Sequence, residues 1–165
     1  MQTLTLKAFV VCGVLMLGSA ANAQQAAPAP PLPPTTPYGP PITLEQAKKV
    51  ADAALAEATK RNMKMAISIV EPSGELVYFQ RMDGTQYASI QIAQDKAKSA
   101  ALFRRSSKDF LDRVATGDMS PFALRGAVPS AGGIPILFDG KIIGAIGTSG
   151  GADDPVSQAG ANALK

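Results

Sequence analysis

The stretch Ile134-Pro135-Ile136-Leu137-Phe138-Asp139-Gly140-Lys141-Ile142-Ile143-Gly144-Ala145-Ile146-Gly147 places two apolar runs on either side of an Asp-Gly pair. A type I′ turn needs positive φ at both central residues, and Asp-Gly is one of the few pairs that accept it, so the stretch reads as a tight β-hairpin. Strands joined by a two-residue turn are antiparallel, which argues against a doubly wound nucleotide-binding sheet. A second hairpin stands further upstream. Met65 to Val70 and Glu75 to Arg81 flank Glu71-Pro72-Ser73-Gly74, with Pro preset at the second turn position.

The segments around the hairpins have helical spacing. Thr43-x-x-Gln46 has the capping-box form. Ala47, Val50, Ala51, Ala54, Leu55 and Ala58 then recur along one narrow stripe, and Asn62 is a suitable left-handed stop. Ser89 to about Arg105 carries Ile90, Ala93, Ala97, Ala100 and Ala101 on one side, and a shorter helix is expected from Ser107 to about Ala115, ended by Gly117. Asp154-Pro155 reads as an N-cap with Pro at N1, opening a last helix. The order is α-β-β-α-α-β-β-α, an α+β domain with helices covering the sheet faces. Asp118 to Gly133, with Pro121, Gly126, Pro129, Gly132 and Gly133, is a long irregular connection of the type that carries function, and a site is expected near it.

The chain of 165 residues, 46% hydrophobic and 18% charged, has room for one such domain. Residues 1–23 read as a cleavable signal peptide. Lys7 supplies the positive end, Ala8 to Leu17 the apolar run, and Ala21-Asn22-Ala23 the cleavage site, which places the protein in the periplasm or outside the cell. The run is about ten residues, roughly half of what a membrane-spanning helix needs, so no membrane span is expected after cleavage. Residues 24–41 form a Pro/Ala-rich arm whose composition disfavours folding, and residues 42–165 form the domain. Cleavage removes Cys12, the single cysteine. The net charge of +3 includes Lys7, and no Lys/Arg stripe tracks phosphates, so nucleic acid is not an expected partner.

From Ile42 to Lys165 the chain resembles the GlcG/HbpS heme-binding family, which includes HbpS-like proteins and PduO C-terminal-like domains. The residues that carry the resemblance are the Leu44 to Ala58 helix, Ala66-Ile67-Ser68-Ile69-Val70 with Ser73-Gly74, and Phe79-Gln80-Arg81-Met82-Asp83-Gly84. Lys96-Ala97 with Ala100, Ala101 and Phe103 follows, then Gly132-Gly133-Ile134-Pro135-Ile136 and Ile142 to Gly150. The resemblance implies a profilin-like antiparallel sheet flanked by helices, assembly into homo-oligomers, and in several members binding of heme or a related tetrapyrrole.

The sequence contains no His, so histidine ligation of heme iron is excluded. The axial candidates are Tyr38, Tyr78 and Tyr87 through phenolate and Met82 or Met119 through thioether. Tyr87 follows the Arg81-Met82-Asp83-Gly84 segment, and Arg81 is in sequence range to stabilise a phenolate there. Tyr87 also reads as a packing residue with a wet hydroxyl, and Met82 as a core filler. Arg81 and Asp83 are placed either to orient a carboxylate or to pin the loop. Lys96, on a helix face of small residues, suits a propionate or a small organic acid, or is a solvated charge. Gly132-Gly133 offers backbone N–H groups to an anion, or serves backbone torsion alone. Thr148-Ser149-Gly150-Gly151 adds hydroxyls and amides nearby.

Without His, and without Cys after cleavage, Ser-His-Asp and Cys-His hydrolysis and imidazole or thiolate zinc sites are excluded. Enzyme chemistry is left to Lys, carboxylate or Tyr, or to a bound cofactor. Three readings follow: a heme or tetrapyrrole binder that stores, carries or senses its ligand; a small organic-acid-binding protein or enzyme using Arg81, Lys96 and Gly132-Gly133; and a structural oligomer accessory to an exported enzyme or sensor.

Overall fold

A computed structural model describes residues 36–165; the expected signal peptide, 1–23, and the arm up to residue 35 lie outside the described residues. The elements run α1 (Leu44–Lys60), β1 (Ala66–Val70), β2 (Leu76–Arg81), α2 (Ala88–Phe103), α3 (Lys108–Ala115), a 3-10 turn (Ser120–Ala123), β3 (Gly133–Phe138), β4 (Lys141–Ser149) and α4 (Asp153–Ala161). This is the expected α+β order. The strands form one antiparallel sheet in the order β2-β1-β4-β3.

Both turns follow from their residues. Asp139 (φ 49°) and Gly140 (φ 72°) hold the β3–β4 turn at positive φ. At the β1–β2 turn the Gly74 amide donates to the Glu71 carbonyl (2.9 Å). α1 opens with a complete capping box, the Gln46 amide donating to the Thr43 hydroxyl while the Thr43 amide donates to the Gln46 side chain. α4 departs from expectation. It starts at Asp153, and neither Asp153 nor Asp154 acts as its side-chain cap.

Alternation along the strands divides the core. Ile67, Ile69, Ile136 and Ile146 face α1 and α4, packing with Val50, Ala54 and Val156. Each fully buried branched side chain contributes about 1.5–3 kcal/mol. On the other face Val70 and Ala145 meet Ala97, Ala100 and Ala101 of α2. That contact is close because the sheet supplies glycines. A Cβ on Gly147 would overlap the Ala93 carbonyl oxygen and the Ala97 amide, and one on Gly133 would overlap the Lys96 carbonyl oxygen.

Residues 36–41, read as the end of the arm, are bonded into the domain. The Ile142 amide donates to the Pro37 carbonyl (2.9 Å), and the Gly39 amide donates to the Ile142 carbonyl (2.8 Å). Together they form a short parallel bridge at Tyr38. The Tyr38 hydroxyl donates to the Ala101 carbonyl (2.8 Å), and the Arg104 guanidinium lies 5.5 Å from the Tyr38 ring centre. These contacts satisfy carbonyls that the C-terminus of α2 leaves open.

Candidate functional site

The strand pairing gathers the sequence-predicted residues at one end of the sheet. Arg81 ends β2 opposite Ala66, Ala66 pairs on its other side with Ser149, and Gly133 opens β3 opposite Gly147. α2 starts at this end and divides the residues into two groups.

On the β3 side of α2, Lys96 is 2% exposed. Its ammonium contacts Asp153 Oδ2 at 2.6 Å and donates to the Thr148 carbonyl at 3.3 Å. Asp153 Oδ1 accepts from the Gly151 amide (3.0 Å). The Thr148 hydroxyl donates to the Asp153 carbonyl (2.8 Å), and the Ser157 hydroxyl donates to the Gly132 carbonyl (2.6 Å). The Gly133 amide donates to the hydroxyl of Ser107 (2.8 Å), which itself donates to the Ser130 carbonyl. This group is a buried knot joining β3, β4, α2 and α4.

The knot corrects two expectations. Lys96, expected either at a ligand or as a solvated charge, is buried and ion-paired with Asp153 inside the fold. The Gly132-Gly133 pair is not an open nest. The Gly133 amide is bonded to Ser107, Gly132 sits at φ 109°, and a side chain at either glycine would strike Asp153 or α2. Of the expected anion cradle, Lys96 and the Gly133 amide are thus buried and bonded, whereas Arg81 is exposed. Asp153 and Ser157 went unread in the sequence, and Ser107 was read only as a helix start, since one acid beside another and isolated serines carry no spacing signal.

On the β2 side the residues face water. Arg81 and Asp83 are exposed, and neither makes an ion pair among the described residues. The Arg81 guanidinium lies 5.3 Å from the centre of the Tyr87 ring, a cation–π contact. Tyr87 is 81% exposed at the start of α2, and its hydroxyl makes no hydrogen bond among the described residues. Exposed Lys64 lies beside the same loop, next to Gly84. Within the loop the Thr85 hydroxyl is buried without a partner among the described residues, as is that of Ser68 on β1. The Ser149 hydroxyl donates to Ser89 (3.1 Å) between the two groups.

The other iron-ligand candidates are engaged or elsewhere. Tyr38 caps α2, Tyr78 donates to Gln80 (3.3 Å), Met82 packs against the core, and Met119 is exposed in the connection before β3. A groove beside β2, of about 210 Å³, is lined by Val70, Leu76, Gln91, Gln94, Asp95 and Lys98 among others. That is below the ~300–1,000 Å³ of pockets that enclose small molecules. The connection expected to carry a site is tied locally at its start. Asp118 accepts from Arg113 (2.9 Å) and the Ser120 amide (2.9 Å). With the Ser120 hydroxyl, these bonds hold the Asp118 carboxyl down at about 2.

Comparison with known proteins places this geometry among relatives. A family model described as haem degrading protein HbpS-like matches residues 42–164. Protein GlcG of Escherichia coli (strain K12) is 34% identical over 108 residues, covering 66% of this chain and 81% of GlcG. A crystal structure of a double mutant of Streptomyces reticuli HbpS is similar at TM-score 0.70 and 27% identity, covering 86% of this chain and 99% of that one. The crystal structure of a PduOC:heme complex is similar at TM-score 0.69 and 25% identity, covering 76% of this chain and 96% of that one. The matched span takes in both groups of residues around α2, and the chain belongs to the HbpS-like family.

Proposed function

We propose that this is an exported, periplasmic or secreted protein that binds heme or a related tetrapyrrole as a homo-oligomer, presenting it at the Tyr87 face rather than enclosing it within one chain. Family membership and the heme complex of a similar structure support the ligand class. The observation that carries the location is Tyr87: an exposed phenol, free of hydrogen bonds among the described residues, with a guanidinium against its ring. The residues fit a surface-held heme. Tyr87 would hold the iron through its phenol oxygen, and Arg81 and Lys64 would meet the propionates. Bound heme supplies the redox chemistry, and this chain's part is to hold and orient it. The organic-acid reading loses its cradle because Lys96 and the Gly133 amide are already bonded.

Titration of untagged protein with hemin is expected to develop a Soret band and to saturate stoichiometrically at micromolar heme. Tyr87→Phe is expected to weaken binding about tenfold or more, equivalent to ~1.4 kcal/mol, and to change the iron spectrum while leaving the fold intact. No spectral change with the wild-type protein would sink the ligand assignment. An unaltered spectrum in Tyr87→Phe would sink the site.

A further inference from the structure

The two edges of the sheet differ in protection. β3 carries Pro135, which has no N–H to offer, and a bulge at Ile136/Leu137. β2 has no proline, and its single charged residue is Arg81 at the end. The irregularity at Ile69/Val70 lies near its start, which leaves Tyr78 to Met82 regular. The Met82 amide donates inward to the Met65 carbonyl (2.9 Å). By the two-residue period Gln80 and Tyr78 also bond inward, so Phe79 and Arg81 turn their N–H and C=O groups outward, away from β1.

We infer that this edge pairs antiparallel with β2 of a second copy of the chain, about a twofold axis through Gln80. Phe79 then lies opposite Arg81 of the partner subunit, and Arg81 opposite the partner subunit's Phe79, in two hydrogen-bonded pairs with four backbone hydrogen bonds. Gln80 faces itself across the axis. The pairing keeps equivalent faces on one side, so each Arg81, already against its own Tyr87, gains an aromatic ring from the partner on the same sheet face. An axis perpendicular to the sheet also fits the helices. α1 lies over β1 and β2, so two copies of α1 come to about 10 Å apart, a normal packing distance. Each candidate site would then be built from both subunits.

This inference rests on the homo-oligomer reading and names its surface. The decisive reagent is Gln80→Cys in a Cys12→Ser background. Residues facing each other in a non-hydrogen-bonded antiparallel pair have Cα atoms about 4.5 Å apart, within disulfide reach. Under mild oxidation Gln80→Cys is expected to give a covalent dimer, whereas Leu76→Cys, exposed at the other end of the strand, is expected not to. Phe79→Lys, which adds a charge at the edge without touching the inward bonds, is expected to raise the dissociation constant measured by sedimentation about tenfold or more. A wild-type protein that sediments as a monomer overturns both the homo-oligomer reading and this one. An oligomer that survives Phe79→Lys, with no cross-link at residue 80, overturns the β2 interface alone.

Discussion

On the β3 side of α2, Lys96, Thr148, Ser157 and the Gly133 amide are bonded to one another or to neighbouring side chains and backbone and lie out of water; on the β2 side, Arg81, Asp83 and Tyr87 of the same sheet end stand in solvent. Both sides have cations, hydroxyls and glycines, so residue type does not distinguish them. The distinction is whether a partner already sits in the fold. A buried ammonium with a carboxylate at 2.6 Å organises structure, whereas a guanidinium against an exposed ring remains available to a ligand or another subunit.

The largest expected effect tests the buried side. Lys96→Met leaves Asp153 without its cation in a site from which water is largely excluded. Unfolding by urea should show a loss of about 3 kcal/mol, while hemin titration is expected to be little changed in the folded fraction. If heme binding falls and stability does not, the two sides have been assigned the wrong way round. Gly147→Ala tests the closeness of α2 to the sheet, where an added methyl meets helix backbone that has no soft end to move. A loss of about 2–3 kcal/mol is expected from the denaturation midpoint, and a neutral result would show that α2 lifts easily.

The smallest effect uses the exposed pair of Arg113 and Asp118 as a counterpart to Lys96 and Asp153. Asp118 titrates at about 2, below its ordinary 3.8, so the folded state favours its anion. The stabilisation is present above about pH 4 and is lost as the pH falls through about 2. NMR titration of the carboxyl should give that low midpoint and show the Ser120–Ala123 turn loosening below it. Asp118→Asn should abolish this step and leave the Lys96–Asp153 contact in place. A midpoint near 4 would mean that the turn is held by something else.

Much of the fold was legible because its signals are local. Thr43 and Gln46 cap a helix by themselves, Asp139 and Gly140 accept positive φ by themselves, and alternation at Ile67 and Ile69 reports one face of a strand. The candidate site was legible only in part. Arg81 and Tyr87 are six positions apart, and their contact follows from a loop that leads directly into α2. Lys96 meets Asp153 across fifty-seven positions, through three packed elements, and nothing near Lys96 in the chain distinguishes an ion-paired lysine from a solvated one. Gly133 was read through torsion or anion binding and Gly147 only as part of a strand, while both let helix backbone approach. The start of α4 was displaced for the same reason: Asp153 turns to Gly151 and Lys96, contacts that a capping pattern cannot register.

The bonds at Tyr38 have a mechanical consequence. The segment Pro37 to Gly39 runs parallel to β4 and is joined to it at Ile142, while the Tyr38 hydroxyl is fastened to the end of α2. A load applied to the chain ahead of Thr36 would therefore be resisted in shear by several bonds at once, and would pass into an inner strand of the sheet. The first described residues are thus fastened at three points, to β4 and to the end of α2, before α1 begins.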